Sequence, residues 1–353
     1  MKAKTDARNL EAEILARKES TKRRLVLVPL LSIIAGVVAL VGASTPAYAT
    51  YPGHNGLISF GANTGSGVQL YTVRSNGHDL QQITHGPGEA LHPDWSPDGQ
   101  SIVFEHDWDT ETQCATIDVM DPDGSNQVSL TTGVGGCEGQ PSFMPDGARI
   151  VYDHFDFTTF DAAIWGMNAD GSNQHRIIDP WPNGLGFTTD GNVSPDGETL
   201  SFVGFDGNLF GPPPNSEPAQ GLFSSDLDGN NLSQLLPFTL DLAIKHDWAP
   251  DGKHIVVTTN ANFFHAGESA NIATIRPDGS DLHYLTHYQG GAVNAFVGSY
   301  SPDGKYIVFR LEDHGSYALM KMRSDGSHLQ PILDFSSFRP RYIDWGARTP
   351  GDE

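Results

Sequence analysis

The chain has 353 residues, with 39 glycines and 23 prolines, and its 43 Asp and Glu outnumber its 21 Lys and Arg to give a formal charge of −22. That balance argues against nucleic acid and anionic membrane surfaces as partners, since both require a basic face. Outside the first 49 residues no capped helical pattern survives, so the Gly- and Pro-rich remainder reads as all-β, of a size that one such domain can reach.

Residues 1–49 read as an export signal. A charged leader ends in Lys22-Arg23-Arg24, the apolar run Leu25 to Ala43 follows, and Ala47-Tyr48-Ala49 has the small-x-small spacing of a signal-peptidase site. An uncleaved anchor is the rival, because the 19-residue run is just long enough to cross a bilayer. Pro29, Gly36 and the cleavage site favour removal after Ala49, leaving residues 50–353 as one secreted or extracytoplasmic domain, bound to a membrane only if the signal is kept. Arg23-Arg24 before Leu25 is a partial twin-arginine signal, too degenerate to choose a secretion route.

From Gly56 onward the chain repeats itself. "HPDWSPDGQSIVFEHD" from His92 returns as "QPSFMPDGARIVYDHF" from Gln140 and "KHDWAPDGKHIVVTTN" from Lys245. Aligned on Trp95, Phe143, Val193, Trp248 and Tyr300, the copies lie 48, 50, 55 and 52 residues apart, a period that indicates a propeller. Each unit predicts a short first strand, a Pro-Asp-Gly turn, a second strand apolar on both faces, a third strand closed by Asp-Gly, and a fourth strand at the rim. "GLISF", "LYTVRSNG" and "LQQIT" supply strands two to four of a further unit, and "PRYIDWG" from Pro340 supplies its missing first strand. The expectation is therefore an all-β, six-bladed propeller of four-stranded blades. Its ring closes when the C-terminal strand pairs with the N-terminal three strands, which removes exposed sheet edges.

With its Trp-Ser-Pro-Asp-Gly turns and later Asp-Gly turns at constant period, the region 50–353 resembles the TolB-like propellers, with their WD40-like repeats. The resemblance implies the fold. It does not imply one activity, since such repeats occur in export components, in carbohydrate-active lyases and as the gating domain of prolyl peptidases. The first strand follows the expected cleavage point within about ten residues, leaving no room for the α/β domain that precedes the propeller in TolB. A serine hydrolase is rejected, because "GESAN" at 267–271 lacks the second glycine of a nucleophile elbow.

The uniform turns share one face, and long unlike loops share the other, as in a binding site carried on a rigid scaffold. At that face the second strands run into Glu105-His106-Asp107, Asp153-His154 and Glu312-Asp313-His314, with Trp108 and Trp181 in the adjoining loops. His106, Asp107, Trp108, Asp153, His154, Trp181, Asp313 and His314 are the candidate ligand-binding residues. His92 and His246, on first strands, join His106 and His154 as candidate ligands for a divalent cation. The same groups also suit general acid–base work, and the alternative is that they are ordinary polar loop residues. "GPPPNSEP" from Gly211 reads as a stiff flap, and "DPDGSN" at 121–126 as turn chemistry rather than a calcium loop.

Cys114 and Cys137 are the only cysteines, and both follow the signal in a chain bound for an oxidising compartment, so one disulfide is expected. Two functional readings follow. The first is a secreted, monomeric, non-enzymatic propeller binding a protein, peptide or cell-envelope glycan through its variable loop face. The second is a metal-assisted polysaccharide lyase or hydrolase with its site in the propeller mouth.

Overall fold

The computed structural model describes residues 53–63, 67–107, 114–133, 136–156, 158–159, 161–179, 185–206, 219–260, 267–336 and 338–348. The predicted leader, the Gly211–Pro218 segment, Trp108 and Trp181 lie outside the described residues. Among those described, no helix is long and apolar enough to cross a membrane.

Six four-stranded antiparallel sheets form the blades. Blade one joins the last strand, Arg341–Ala347, to Asn55–Asn63, Val68–Val73 and Gln81–Gln82, so the ring closes as the sequence predicts. The inner strands of blades two to six are Glu89–Trp95, Cys137–Phe143, Leu185–Val193, Asp247–Trp248 and Val293–Tyr300. Each is followed by the Pro-Asp-Gly turn, whose side chains close on themselves. Ser96 Oγ donates to Asp98 Oδ1 at 2.7 Å, the same oxygen accepts the Gln100 N–H at 3.0 Å, and Ser96 Oγ accepts the Ser101 N–H at 2.9 Å. The glycine then takes φ between 65° and 75° in all five copies, a conformation that a Cβ would resist.

Second strands are apolar on both faces because each blade is packed between two others. In Tyr306–Asp313, Ile307, Phe309 and Leu311 join a cluster with Val256 and Ile272 of blade five, while Val308 joins one with Phe60, Ile343 and Trp345 of blade one. Burying such a side chain is worth about 1.5–3 kcal/mol. The core is thus a ring of inter-blade layers, and every layer needs both its neighbours.

Hydrogen bonds near the axis fasten the blades in order. The residue before each terminal aromatic reaches the next blade: Asp94 Oδ2 accepts the Phe143 N–H at 2.8 Å, Asp247 Oδ2 that of Tyr300 at 2.7 Å, and Ser299 Oγ that of Trp345 at 2.8 Å. Between blades three, four and five the chain is Ser142 Oγ to Asn192 Oδ1, then Asn192 Nδ2 to the His246 carbonyl, each 3.4 Å. Asp344 completes the circuit on Trp95. In four blades this position, Asp94, Asp247, Ser299 or Asp344, satisfies a backbone donor that burial would otherwise leave unpaired, and in the other two, Ser142 and Asn192, it links to the next blade by a side-chain donor.

Candidate functional site

Three residues before the end position aligned in the repeat, the inner strand carries a bulge in every blade but the fifth. The register shifts between Leu91 and Asp94, Gly139 and Ser142, Thr189 and Asn192, and Val297 and Tyr300. His92, Gln140, Asp190 and Tyr342, the bulged residues of blades two, three, four and one, all have φ between 46° and 53°, unusual for residues with a side chain. Holding a residue there costs on the order of 1–3 kcal/mol, and second-strand side chains offset part of that cost. Glu105 Oε2 accepts the Gln140 N–H at 3.2 Å, Asp153 Oδ1 that of Asp190 at 3.1 Å, and Thr258 Oγ1 that of Val297 at 2.9 Å.

The bulges bring His92, Gln140, Asp190 and Tyr342 together with Lys245 of blade five around a void of about 10 Å³, space for about one water. The His92 and Tyr342 ring centroids are 3.8 Å apart. This constriction lies on the loop side of the aspartate and serine circuit, because each inner strand runs from the loops toward its turn. It is the floor of the mouth.

Its electrostatics are strongly coupled. Burial opposes the Lys245 charge, but Asp190, Asp344, Asp94 and Asp247 outweigh it and raise the lysine's pKa. Burial, reinforced by the Asp344 charge, holds Asp94 well above the usual carboxylate range. Asp153 is also pushed well up by burial, against the hydrogen bond from Thr189. For Asp190, burial is overcome by the hydrogen bond and charge of His246 and by Lys245, and its pKa falls. Two neighbouring carboxyl groups are thus shifted in opposite directions, Asp153 up and Asp190 down.

The four candidate metal-binding histidines do not share a centre; each takes its own carboxylate. His92 Nδ1 is 2.8 Å from Glu105, His106 Nδ1 3.0 Å from Asp118, His154 Nδ1 3.4 Å from Glu138, and His246 Nδ1 2.9 Å from Asp190. Among the described residues no group of three or more His, Cys, Asp and Glu could hold a metal ion. His246 is 1% exposed and sits between blades four and five, with Nε2 2.8 Å from Ser201 Oγ. Its neighbour Lys245 faces the constriction instead.

His106 and Asp118 border a cavity of about 430 Å³ between blades one and two. Thr116 Oγ1 and Gln127 Nε2 donate to Asp118 at 2.9 and 2.8 Å, and His106 Nε2 lies 3.3 Å from the Pro87 carbonyl. Asp107 ends the same second strand, Ile102–Asp107, at the loop face.

Asp313 and His314 are exposed and hydrogen-bonded to each other. They are not the counterparts of Glu105 and Asp153: three residues after Ile102, Ile150 and Ile307, each paired with its terminal aromatic, stand Glu105, Asp153 and Arg310. Sequence reasoning missed Arg310 because the acidic triplet two residues later matched the others by composition. It also missed Gln140, Asp190, Lys245 and Tyr342, although their common offset from the terminal aromatic was a usable signal.

A cleft of about 970 Å³ opens on the opposite face, among the turns of blades five and six. Its carboxylates are taken up locally, Asp251 by Lys253 at 3.2 Å, Asp303 by Lys305 at 3.1 Å and Asp281 by Arg276 at 3.3 Å. The expected disulfide joins Cys114 to Cys137, with Cα atoms 5.0 Å apart, and ties the third strand of blade two to the inner strand of blade three.

No protein-family model matches the chain. It is 30% identical over 185 residues to an uncharacterized protein of Agrobacterium fabrum, a match covering 52% of this chain and 59% of that protein. It is 38% identical over 82 residues to the Tol-Pal system protein TolB of Nitratidesulfovibrio vulgaris, covering 23% of this chain and 18% of that one. A match to dipeptidyl-peptidase 5 of Porphyromonas endodontalis is 25% identical and covers 71% of this chain and 33% of the peptidase. The chain thus spans less than two thirds of each of these relatives. The crystal structure of TolB from Acinetobacter baumannii superposes with a TM-score of 0.65 at 17% identity, over 83% of this chain and 67% of that one. Together with the six closed blades, these likenesses identify the fold: the chain is a TolB-like six-bladed β-propeller.

Proposed function

We propose that this chain is an exported binding propeller that receives a protein, peptide or glycan ligand at the loop-side mouth. One observation carries the reading: five blades hold polar side chains in a ring at the floor of that mouth, four of them at positive φ. Strained backbone of this kind clusters at ligand sites, and a floor closed to about one water gives a ligand a surface to rest on. On the other face, carboxylates are consumed by turn geometry.

The test pairs variants of the two faces. His92→Ala and Gln140→Ala in the full chain should lose a ligand identified on peptide or glycan arrays while keeping the melting temperature near that of the parent. Asp98→Ala should cost about 1 kcal/mol and bind as the parent does. Loss of ligand in the turn variant alone, at unchanged stability, would reverse the assignment of faces.

A further inference from the structure

Blade six and the closing strand of blade one gather positive charge in a chain whose formal charge is −22. Arg310 is only 8% exposed, and it occupies the register where blades two and three place Glu105 and Asp153. Its guanidinium lies over the Phe296 ring at 4.2 Å and donates through one terminal nitrogen to the Pro340 carbonyl at 3.3 Å. Its buried Nε has no hydrogen-bond partner. Arg339 and Arg341 are close enough to act on it electrostatically; burial and then these two arginines lower its pKa to about 10. Arg339 lies over Tyr317 at 5.1 Å and is 3.7 Å from Glu312 Oε2, and its own buried Nε is likewise without a partner.

Glu312 is thus the carboxylate that acts on both Arg310 and Arg339. Burying a cation is expensive unless an anion accompanies it, and stacking on Phe296 and Tyr317 fixes two of the planes before any ligand arrives. Planar forks so held match the two oxygens of a carboxylate. Arg341 opens the strand that enters from the loop side and Arg339 stands two residues before it, so the cluster faces the same side as the mouth.

We propose that Arg310, Arg339 and Arg341 form a carboxylate-binding subsite beside the propeller mouth, and that the ligand of this protein presents a carboxylate there. The subsite deepens the binding reading above and rests on it for where the rest of the ligand lies. The local positive charge also shows how a ligand bearing carboxylates could be accepted by so acidic a protein.

Succinate is the probe. It is titrated into the full chain by calorimetry and thermal shift, at constant ionic strength against sodium chloride. One saturable site is expected, weakened at least tenfold in the Arg339→Gln/Arg341→Gln double variant, whose side chains reach solvent and whose loss spares the core. Arg310→Lys keeps the charge but removes the fork, and it too should bind more weakly; should it fail to fold, the double variant still decides. Succinate acting no differently from chloride, or binding equally to parent and double variant, would overturn the subsite. Either result leaves the loop-face reading standing, whereas succinate binding alongside undiminished array binding by His92→Ala and Gln140→Ala would retain the subsite and remove that reading.

Discussion

Asp344 Oδ2 accepts the backbone N–H of Trp95 at 3.0 Å across 249 residues of sequence. Asp344 sits in the strand that completes blade one, and Trp95 ends the inner strand of blade two, so this bond is where the ring's last-made strand is fastened to its neighbour. Removing the acceptor in Asp344→Ala leaves a buried N–H unpaired, which should cost about 1–3 kcal/mol. Asp344→Asn retains an acceptor and should cost less. Urea unfolding midpoints of the two variants check this; an Ala variant as stable as the parent would show that the closure does not depend on the bond.

Ser201 is completely buried, its hydroxyl donates to the Asn192 carbonyl at 3.1 Å, and its Oγ meets two further partners at once: Trp248 Nε1–H donates to it at 2.8 Å, and His246 Nε2 lies 2.8 Å from it. Ser201→Ala strands both groups in the interface between blades four and five, at about 1–3 kcal/mol for an unsatisfied buried group. Trp248 fluorescence should shift along with the loss of stability. A neutral substitution would mean that the two partners find each other without the hydroxyl.

The Cys114–Cys137 bridge spans a sequence separation of 23 residues. A loop of that size is worth roughly 3 kcal/mol in the chain-entropy description. The Cys114→Ala/Cys137→Ala variant should fold, because the blade cores on either side are intact, and should melt at a lower temperature. Equal melting of the oxidised and reduced parent would contradict the expected contribution.

Protonation of His106 should matter to stability. Burial disfavours the imidazolium, but the hydrogen bonds with Asp118 and the Pro87 carbonyl outweigh it and raise the pKa. Asp118 is lowered, because its hydrogen bonds with His106, Gln127, Ser129 and Thr116 overcome burial. A raised histidine contributes fully below its unfolded value of about 6.5 and loses that contribution as pH climbs through the folded value. The depressed aspartate contributes above about 3.9 and fails only as pH falls through its folded value. From pH about 6 to about 9, the parent should therefore lose more thermal stability than His106→Gln does, as followed by melting temperature across that range. Parallel curves would show that the pair is not charged in the folded state.

The repeat determined the architecture without help from the structure, because each of its signals is local. A Pro-Asp-Gly turn is dictated by the φ values of three consecutive residues, and a strand apolar on both faces reports two neighbouring blades wherever it occurs. Trp345 at the far end could even be matched to the blade that lacked a first strand, since the same phrase surrounds it. The Cys114–Cys137 pair was legible for a similar reason, being the only two cysteines and one hairpin apart.

What the tertiary structure decided is which side chains meet at the axis. The bulges at His92, Gln140, Asp190 and Tyr342 turn residues roughly 50 positions apart toward one point, and a bulge is a change of pairing between strands that neither strand displays by itself. Composition alone grouped Glu312-Asp313-His314 with the acidic ends of blades two and three, while register put Arg310 in that place. Charge partners followed from the same geometry: four histidines that looked like one metal set became four separate pairs. Local sequence fixes torsions, but the company a charge keeps depends on contacts between distant blades, and those exist only once the ring has closed.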